Sequence, residues 1–206
     1  MPCESFLRHS FFPSASVVLF TTIATSVYAD EPSAENRALA EVLFREAKAL
    51  SDKEQFEQAC PKFQESHRLD PKPGTILNLA VCHEKQGKVA SAWLDYLDAA
   101  TVATRAGQKA RAAFAKDQAA KLEKTIPRFI VRVSETTPGL IVKLDKAALN
   151  EAAWGTAAPI NPGEHAVEAT APGYVTWSKN ITIEKTPGNV EIVIPKLELE
   201  SANIPV

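Results

Sequence analysis

The chain has little of several features that would reveal a function directly. Its 206 residues carry 23 Lys and Arg against 25 Asp and Glu, so the formal net charge is only −2. A chain this close to neutral has no basic excess with which to hold nucleic acid, and we expect no nucleic-acid partner. Three cysteines exclude a disulfide-dense miniprotein, and a hydrophobic share of 45% excludes general disorder.

The sequence also lacks the motifs of common enzyme sites. It contains no G-x-S-x-G nucleophile turn, no H-E-x-x-H metal motif and no glycine-rich phosphate loop. His165 shares the inward parity of Val167 in a strand pattern, whereas Glu164 and Glu168 fall on the outward face, where solvated charge is usual. We therefore predict that the protein is not an enzyme and that it uses no cofactor and no metal.

An apolar, uncharged segment lies near the N-terminus, over residues 11–24. Val27 and Ala29 follow it at the positions of a signal-peptidase site. The segment is too short to span a bilayer comfortably, and Pro13 interrupts its start. We interpret residues 1–29 as a signal peptide cleaved after Ala29, in preference to a membrane anchor. The mature protein is then expected in the periplasm or outside the cell, with no membrane span after cleavage.

Removal of this signal would take Cys3 with it and leave Cys60 and Cys82. Because disulfides persist in exported proteins, we predict a bridge between them, the alternative being two buried thiols that behave as small hydrophobic groups. A bridge would close a loop of roughly 22 residues, worth about 3 kcal/mol in the chain-entropy model. His67 and His83 lie near these cysteines, but their spacing matches no zinc-site pattern.

Residues 30–127 have the periodicity of helices. The first segment repeats apolar residues along a single helical face, at Leu39, Leu43, Ala47 and Leu50. Further segments begin near Phe56, after residues 71–74, at residue 89 and at residue 108, with Gly87 and Gly107 as punctuation. The fifth segment, over residues 108–124, is polar enough to cap the end of a helical stack. This half is therefore predicted to contain five helices.

A repeat of 33 residues is visible within the helical half. Ala59, Phe63 and Ser66 recur as Ala92, Tyr96 and Ala99. Helix pairs with a small, an aromatic and a small residue at these positions of the second helix resemble tetratricopeptide (TPR) repeats. The resemblance is extended by Leu79-Ala80, by Gly87 and by Pro71 after the first repeat. It implies antiparallel helical hairpins whose first helices line a groove that binds a peptide or a protein.

After Pro127 the apolar period changes to two. Alternating strands are separated by turn signals at residues 137–139, 161–163, 172–173 and 187–188, which predicts a small antiparallel β-sandwich over residues 128–199, followed by a tail over residues 200–206. The run Gly155 to Pro159, then Pro162-Gly163-Glu164-His165, then Pro172-Gly173-Tyr174 resembles the PEGA family of bacterial surface-associated β domains. That family has an Asp-Gly turn where Asp145 precedes Lys146 here. The fold class is thus α+β with more than one domain.

The TPR resemblance assigns a partner-binding surface. Carried onto this sequence, its groove positions are Phe44, Arg45, Lys48, Leu77, Asn78, Val81 and Lys85. Arg and Lys beside an Asn can hold a peptide backbone or a terminal carboxylate. The alternative is that the three cations form an ordinary solvated helix face.

Taken together, the two resemblances predict a non-enzymatic interaction or scaffold protein of the bacterial cell envelope, with a peptide or protein partner. A second class of function stays open. Trp154, in the long connection over residues 146–156, and Tyr174, after a turn, are aromatic rings that could stack on a cell-wall glycan. The alternative for Trp154 is that it fills the end of the sandwich.

Overall fold

The structure, a computed structural model, describes residues 31–200, so the predicted signal peptide and all but the first residue of the predicted tail lie outside the described residues. Within these described residues five α-helices come first: α1 (Ala34–Ser51), α2 (Phe56–Leu69), α3 (Pro73–Lys85), α4 (Val89–Arg105) and α5 (Lys109–Glu123). Each helix packs against the next one along the chain. No helix within residues 31–200 is long and apolar enough to cross a membrane.

Alanine dominates the core of the helical half. The repeated positions Ala59, Phe63 and Ser66, and their counterparts Ala92, Tyr96 and Ala99, each expose no more than 2% of their surface. Small side chains at helix contacts shorten the distance between helix axes. The buried hydroxyl of Ser66 donates to the carbonyl of Ala40, 2.8 Å away, and so ties α2 to α1. Equivalent residues of the 33-residue repeat thus occupy equivalent buried places.

The aromatic residue of the second repeat, Tyr96, has a hydroxyl group that forms a hydrogen bond within the helical half. The Tyr96 hydroxyl on α4 donates to the Glu84 carboxylate on α3, 2.9 Å away. Burial of the phenol, helped by that carboxylate, raises the pKa of Tyr96 well above its usual value. The phenol therefore remains a donor at any ordinary pH and links α3 to α4.

A disulfide joins Cys60 on α2 to Cys82 on α3, with 5.7 Å between the Cα atoms. This confirms the predicted bridge. Both cysteines are buried in the helical core, and the bridge joins the second helix of the first hairpin to the first helix of the next. The two hairpins are therefore held together covalently.

Seven strands follow the helices in the part of the chain that the structure describes. They are β1 (Pro127–Val133), β2 (Ile141–Leu144), β3 (Ala147–Leu149), β4 (Ala158–Pro159), β5 (Gly163–Thr170), β6 (Trp177–Ile183) and β7 (Gly188–Ile194), with a short 3-10 helix at Glu151–Ala153. One sheet has the order β4-β1-β7 and the other the order β3-β2-β5-β6. The predicted succession of a helical and a strand half, an α+β architecture, is confirmed.

The two sheets share one core, so the strand half is a sandwich. Phe129 and Ile192 come to it from the first sheet, and Val142, Val167 and Ile183 from the second. The prediction that all strands pair antiparallel is wrong for one pair, because β1 and β7 run parallel over their full length. They are the first and last strands, and a long connection, unlike a hairpin, permits the parallel arrangement.

The turn between β2 and β3 is built without glycine. Asp145 and Lys146 both have positive φ, 49° and 72°, and Leu144 pairs with Ala147 across them. Two central residues with φ > 0 define a type I′ hairpin turn, which normally takes Asn-Gly or Asp-Gly. Asp145 is a tolerable occupant, but Lys146 pays the steric cost of a Cβ in the left-handed region.

The two halves belong to one compact unit that begins at Pro32. Asn161, in the loop before β5, reaches the first turn of α4: its Oδ1 accepts from the backbone N–H groups of Ala90 and Ser91, at 2.9 and 3.1 Å, and its Nδ2 donates to the Ser91 hydroxyl. The residue preceding α4, Lys88, makes no side-chain cap. The strand half therefore supplies the N-terminal cap of α4, satisfying donors that a helix leaves open.

Candidate functional site

A cleft of about 250 Å³ lies between α1, the start of α3 and the start of α5. These are the first helices of the two hairpins and the helix that follows them. The TPR resemblance places a binding groove on such first helices. The walls of the cleft are formed by Ala40, Glu41, Phe44, Ser66, Asp70, Gln108 and Arg111, and by the segment from residue 72 to residue 75.

The α1 wall carries an aromatic ring. Phe44 is half-buried and meets Phe63 edge to face, with 5.7 Å between the ring centroids. The contact fixes the Phe44 ring on the core while part of its surface faces the cleft. Glu41, one turn earlier on α1, accepts a hydrogen bond from Arg45 at 2.9 Å. The wall thus offers an apolar surface edged by a carboxylate that is already paired.

The start of α3 forms the second wall. Pro73 occupies the first helical turn, where its missing N–H costs nothing, and a methyl group placed on Gly74 would meet no atom within 4 Å. The nearly buried carboxylate of Asp70 lies 2.7 Å from the Lys72 ammonium, outside hydrogen-bond geometry, so the contact is ionic. Open space beside Gly74 and a half-exposed Lys72 ammonium are what this wall presents to a ligand.

The start of α5 adds a guanidinium. Arg111 donates from Nη1 to Oε1 of Gln108, 2.7 Å away, and among residues 31–200 it forms no ion pair. The side chain of Gln108 thereby orients the guanidinium at the mouth of the cleft. A guanidinium that is held in place and has no carboxylate partner within the described residues is suited to bind a carboxylate or a peptide carbonyl.

The volume and lining together limit what the cleft can hold. Enclosed small-molecule pockets have volumes of roughly 300–1,000 Å³, and this cleft is smaller and open. It combines an aromatic face, the Arg111 guanidinium and the Lys72 ammonium, which Asp70 already pairs. That chemistry suits one or two side chains of an extended segment with an acidic group near an apolar one.

The predicted groove residues lie on the same helices but only Phe44 lines the cleft. Arg45 and Lys48 are exposed and paired along α1, with Glu41 and with Asp52. The remaining residues lie on α3: Leu77 packs on the helical core, Asn78 donates to the Gly74 carbonyl at 2.8 Å, Val81 is 37% exposed and Lys85 is exposed. The wider groove therefore remains a prediction.

A second cleft, of about 560 Å³, lies between α2, α3 and α4. Two histidine–aspartate pairs line it: His83 Nδ1 is 2.6 Å from Asp95 Oδ2, and His67 Nε2 is 3.3 Å from Asp98 Oδ2. Cys82, next to His83, is engaged in the disulfide. No three His, Cys, Asp or Glu side chains converge as metal ligands anywhere in residues 31–200. The pairs tie α2 and α3 to α4.

The aromatic residues considered for glycan contact are partly used by the sandwich. Trp154 and Tyr174 are both half-buried and pack against its core. The indole N–H of Trp154 is buried without a hydrogen-bond partner in the described part of the chain. Neither ring stands free as a stacking platform, and glycan contact by Trp154 or Tyr174 stays a prediction.

The two cleft residues from the start of α5 are absent from the sequence-based set because the sequence predicts this helix as a cap on the stack. Its stripe of alanines accounts for its buried face, and Gln108 and Arg111 appear in the sequence as ordinary polar residues of the other face. The sequence feature that could have identified them is the position of α5, which follows two helical hairpins and so occupies the place of the first helix of a third. No protein-family model matches this chain, and no curated protein sequence matches it either.

Proposed function

We propose that this chain is a non-enzymatic exported protein of the cell envelope that binds a peptide segment of a partner protein. The cleft between α1, α3 and α5 is the observation that carries the proposal, because a fixed Phe44 ring and the Arg111 guanidinium, which forms no ion pair within residues 31–200, face the same open space. An extended segment with an apolar residue next to an acidic one complements both. The 33-residue repeat and the TPR resemblance agree with this use of the first helices.

The pairing of the histidines of the helical half favours binding over catalysis as the proposed role. The histidines of the helical half are engaged with Asp95 and Asp98, in side-chain pairs that link helices. No serine or free thiol among the described residues lies hydrogen-bonded to them. A hydrolase mechanism would need such a nucleophile beside its base.

The proposal is tested by selecting a phage-displayed random peptide library on the wild-type protein and measuring the affinity of enriched peptides by calorimetry. We expect enriched sequences to carry an acidic residue near an apolar one. Arg111→Ala should weaken their binding about tenfold or more, because a hydrogen bond to a charged group contributes about 1.5–3 kcal/mol. Lys116→Ala, on the same helix but outside the cleft, is the matched control and should bind as the wild type does.

The extent of the groove is tested with the same peptides. A double Lys48→Ala, Lys85→Ala variant removes two charges of the wider groove and leaves the cleft intact, including the Glu41–Arg45 ion pair in its wall. Weakened binding by this variant would extend the site along α1 and α3. Peptides that bind Arg111→Ala as tightly as the wild type would refute the cleft as the binding site.

A further inference from the structure

His165 on β5 is held between two hydrogen-bond acceptors. Its Nδ1 lies 2.6 Å from Oδ2 of Asp145, and its Nε2 lies 2.8 Å from the backbone carbonyl oxygen of Asn161. The imidazole is mostly buried, with 12% of its side chain exposed. A neutral imidazole has one donor and one acceptor nitrogen, and only the cation donates from both. The site is therefore fully hydrogen-bonded only when His165 carries its second proton.

Within residues 31–200, Asp145 and Asn161 are the hydrogen-bond partners of His165, and Asp145 is its ion-pair partner. On β6, the residue opposite is the apolar Ile181. Glu164 is engaged by the Thr182 hydroxyl at 2.6 Å, and the Lys143 ammonium is paired with Glu168 at 2.8 Å. Lys146, beside Asp145 in the turn, makes no ion pair among the described residues. On the α4 side, Asn161 contacts backbone amides and the Ser91 hydroxyl, which do not titrate.

Asp145 is built into the strand half as the anion of this pair. Its Oδ1 accepts from the Ala166 N–H at 3.0 Å, while Oδ2 faces His165. Burial by itself would raise the pKa of Asp145, but the Ala166 N–H and the His165 ring outweigh it and lower that pKa. The turn that carries Asp145 is fixed by its two positive-φ residues. The carboxylate is therefore present and positioned over the whole range in which a histidine titrates.

The residue on the other side of the ring is the one that caps α4. Asn161 uses its carbonyl for His165 and its side-chain amide for Ala90 and Ser91. A change in the His165 hydrogen bond therefore acts on the same residue that joins the strand half to the helical half.

We propose that the chain Asp145–His165–Asn161 is a pH-dependent link between the two halves, in which protonation of His165 strengthens the cap that Asn161 places on α4. In acid the imidazolium donates to both acceptors and holds the Asn161 backbone. In alkali the neutral ring turns a lone pair toward one acceptor, and the cap loosens. The link is independent of the peptide cleft, since none of its residues lines that cleft.

The link is tested by NMR on the full mature chain, titrated from about pH 5 to about pH 9, the region in which histidines change charge. The measured signals are the His165 ring protons and the amide N–H groups of Ala90 and Ser91. We expect the two amides to shift with the midpoint of His165. Their protection from hydrogen exchange, corrected for the intrinsic pH dependence, should fall about tenfold on the alkaline side.

Three variants decide whether the shift comes from this link. Asp145→Asn keeps an acceptor for Ala166 but removes the anion that faces His165, so the midpoint at which both amides shift should change from that of the wild type. His165→Gln should abolish the pH dependence of the amides. His83→Gln is the matched control, because His83 pairs with Asp95 on α4 itself and could produce a pH signal there without the link.

Amides of Ala90 and Ser91 that do not titrate, that lose their titration in His83→Gln, or that keep the wild-type midpoint in Asp145→Asn would overturn the proposal. If His165→Gln fails to fold, the Asp145→Asn comparison still decides the question, because both side chains suit the left-handed turn position.

Discussion

The two halves of the chain are stabilised in different ways. Most buried residues of the helical core are alanines, joined by Phe63, Tyr96 and the Cys60–Cys82 bridge. The sandwich core is filled instead by Ile, Val, Leu and Phe side chains from both sheets. A core of small residues gains less from burial than one of large residues, about 0.8 kcal/mol for each CH₂. The helical half therefore depends more on close helix contacts and on a covalent bridge.

Removing side-chain volume should lower the free energy of unfolding most in the sandwich. Ile194 is fully buried at the end of β7, and Ile194→Ala should lower the free energy of unfolding by about 4 kcal/mol, because it leaves a cavity between the sheets. Urea denaturation measures the loss. The neighbouring Val193 is 52% exposed on the opposite face, and Val193→Ala should change stability by about 0.5 kcal/mol or less. Equal losses in the two variants would contradict the assignment of the core face.

Removing the Cys60–Cys82 bridge should destabilise the helical half. The double variant Cys60→Ser, Cys82→Ser is expected to lose about 3 kcal/mol, since the loop of 22 residues is no longer closed in the unfolded chain. Helical circular dichroism during denaturation follows the loss. Reductant should destabilise the wild type to a similar extent and leave the double variant unchanged. A wild type insensitive to reductant would mean that the bridge contributes nothing to stability.

Adding side-chain volume should destabilise the closely packed helical half. Ala115 on α5 is fully buried among close helix contacts, and Ala115→Leu should cost about 2 kcal/mol through overpacking. Ala113→Leu, on the exposed face of the same helix, adds the same atoms in solvent and should be close to neutral. Thermal denaturation of both variants checks the difference. A tolerated Ala115→Leu would show that the helical contacts are looser than the structure has them.

The turn of the strand half should be improvable. Lys146→Gly removes a Cβ from a residue with φ of 72° and should raise stability by about 1 kcal/mol. Ala147→Gly, one residue later inside β3, should lower stability by about 0.5–1 kcal/mol, because glycine in a strand loses more conformational freedom on folding than alanine does. Urea denaturation should show that the free energy of unfolding rises in Lys146→Gly and falls in Ala147→Gly. The same sign for both would exclude a backbone origin.

The smallest expected effect is on the acid limb of stability. The pKa of Asp145 is lowered by folding, so its ionised form contributes stability above the unfolded-state pKa, and that contribution is lost as pH falls through the folded-state value. Asp145→Asn should flatten the loss of stability between about pH 5 and pH 2. The carboxylate is half exposed, so solvent screening keeps the change small. An unchanged acid limb would count against this contribution.

Features that depend on neighbours in the sequence were predictable. The bounds of α4 at residues 89 and 105 follow from periodicity between two glycines. The bridge between Cys60 and Cys82 follows from their number once a signal peptide is inferred. The sequence did not single out β1, because Ile130 is buried as well as Phe129 and Val131, and this hides the alternation of a strand.

Features that depend on distant residues were not predictable. The parallel pairing of β1 with β7 joins segments about sixty residues apart, and no local pattern encodes its direction. The same holds for Asn161, which reads as part of an Asn-Pro-Gly turn and whose helix-capping role appears only when α4 lies beside it. Of the residues that line the cleft, Phe44 was among the positions that the TPR resemblance implies, whereas Arg111 was not, because its place at the cleft depends on a space between three helices.

The cap on α4 has a consequence for the order in which the chain folds. Asn161 lies 71 and 70 residues beyond Ala90 and Ser91, so these contacts close long loops. Contacts of large sequence separation form slowly compared with helix hairpins. During synthesis the first turn of α4 lacks this cap until the strand half has been made and has docked. The start of α4 is thus the last part of the helical half to mature, and a chain interrupted before Asn161 leaves it frayed.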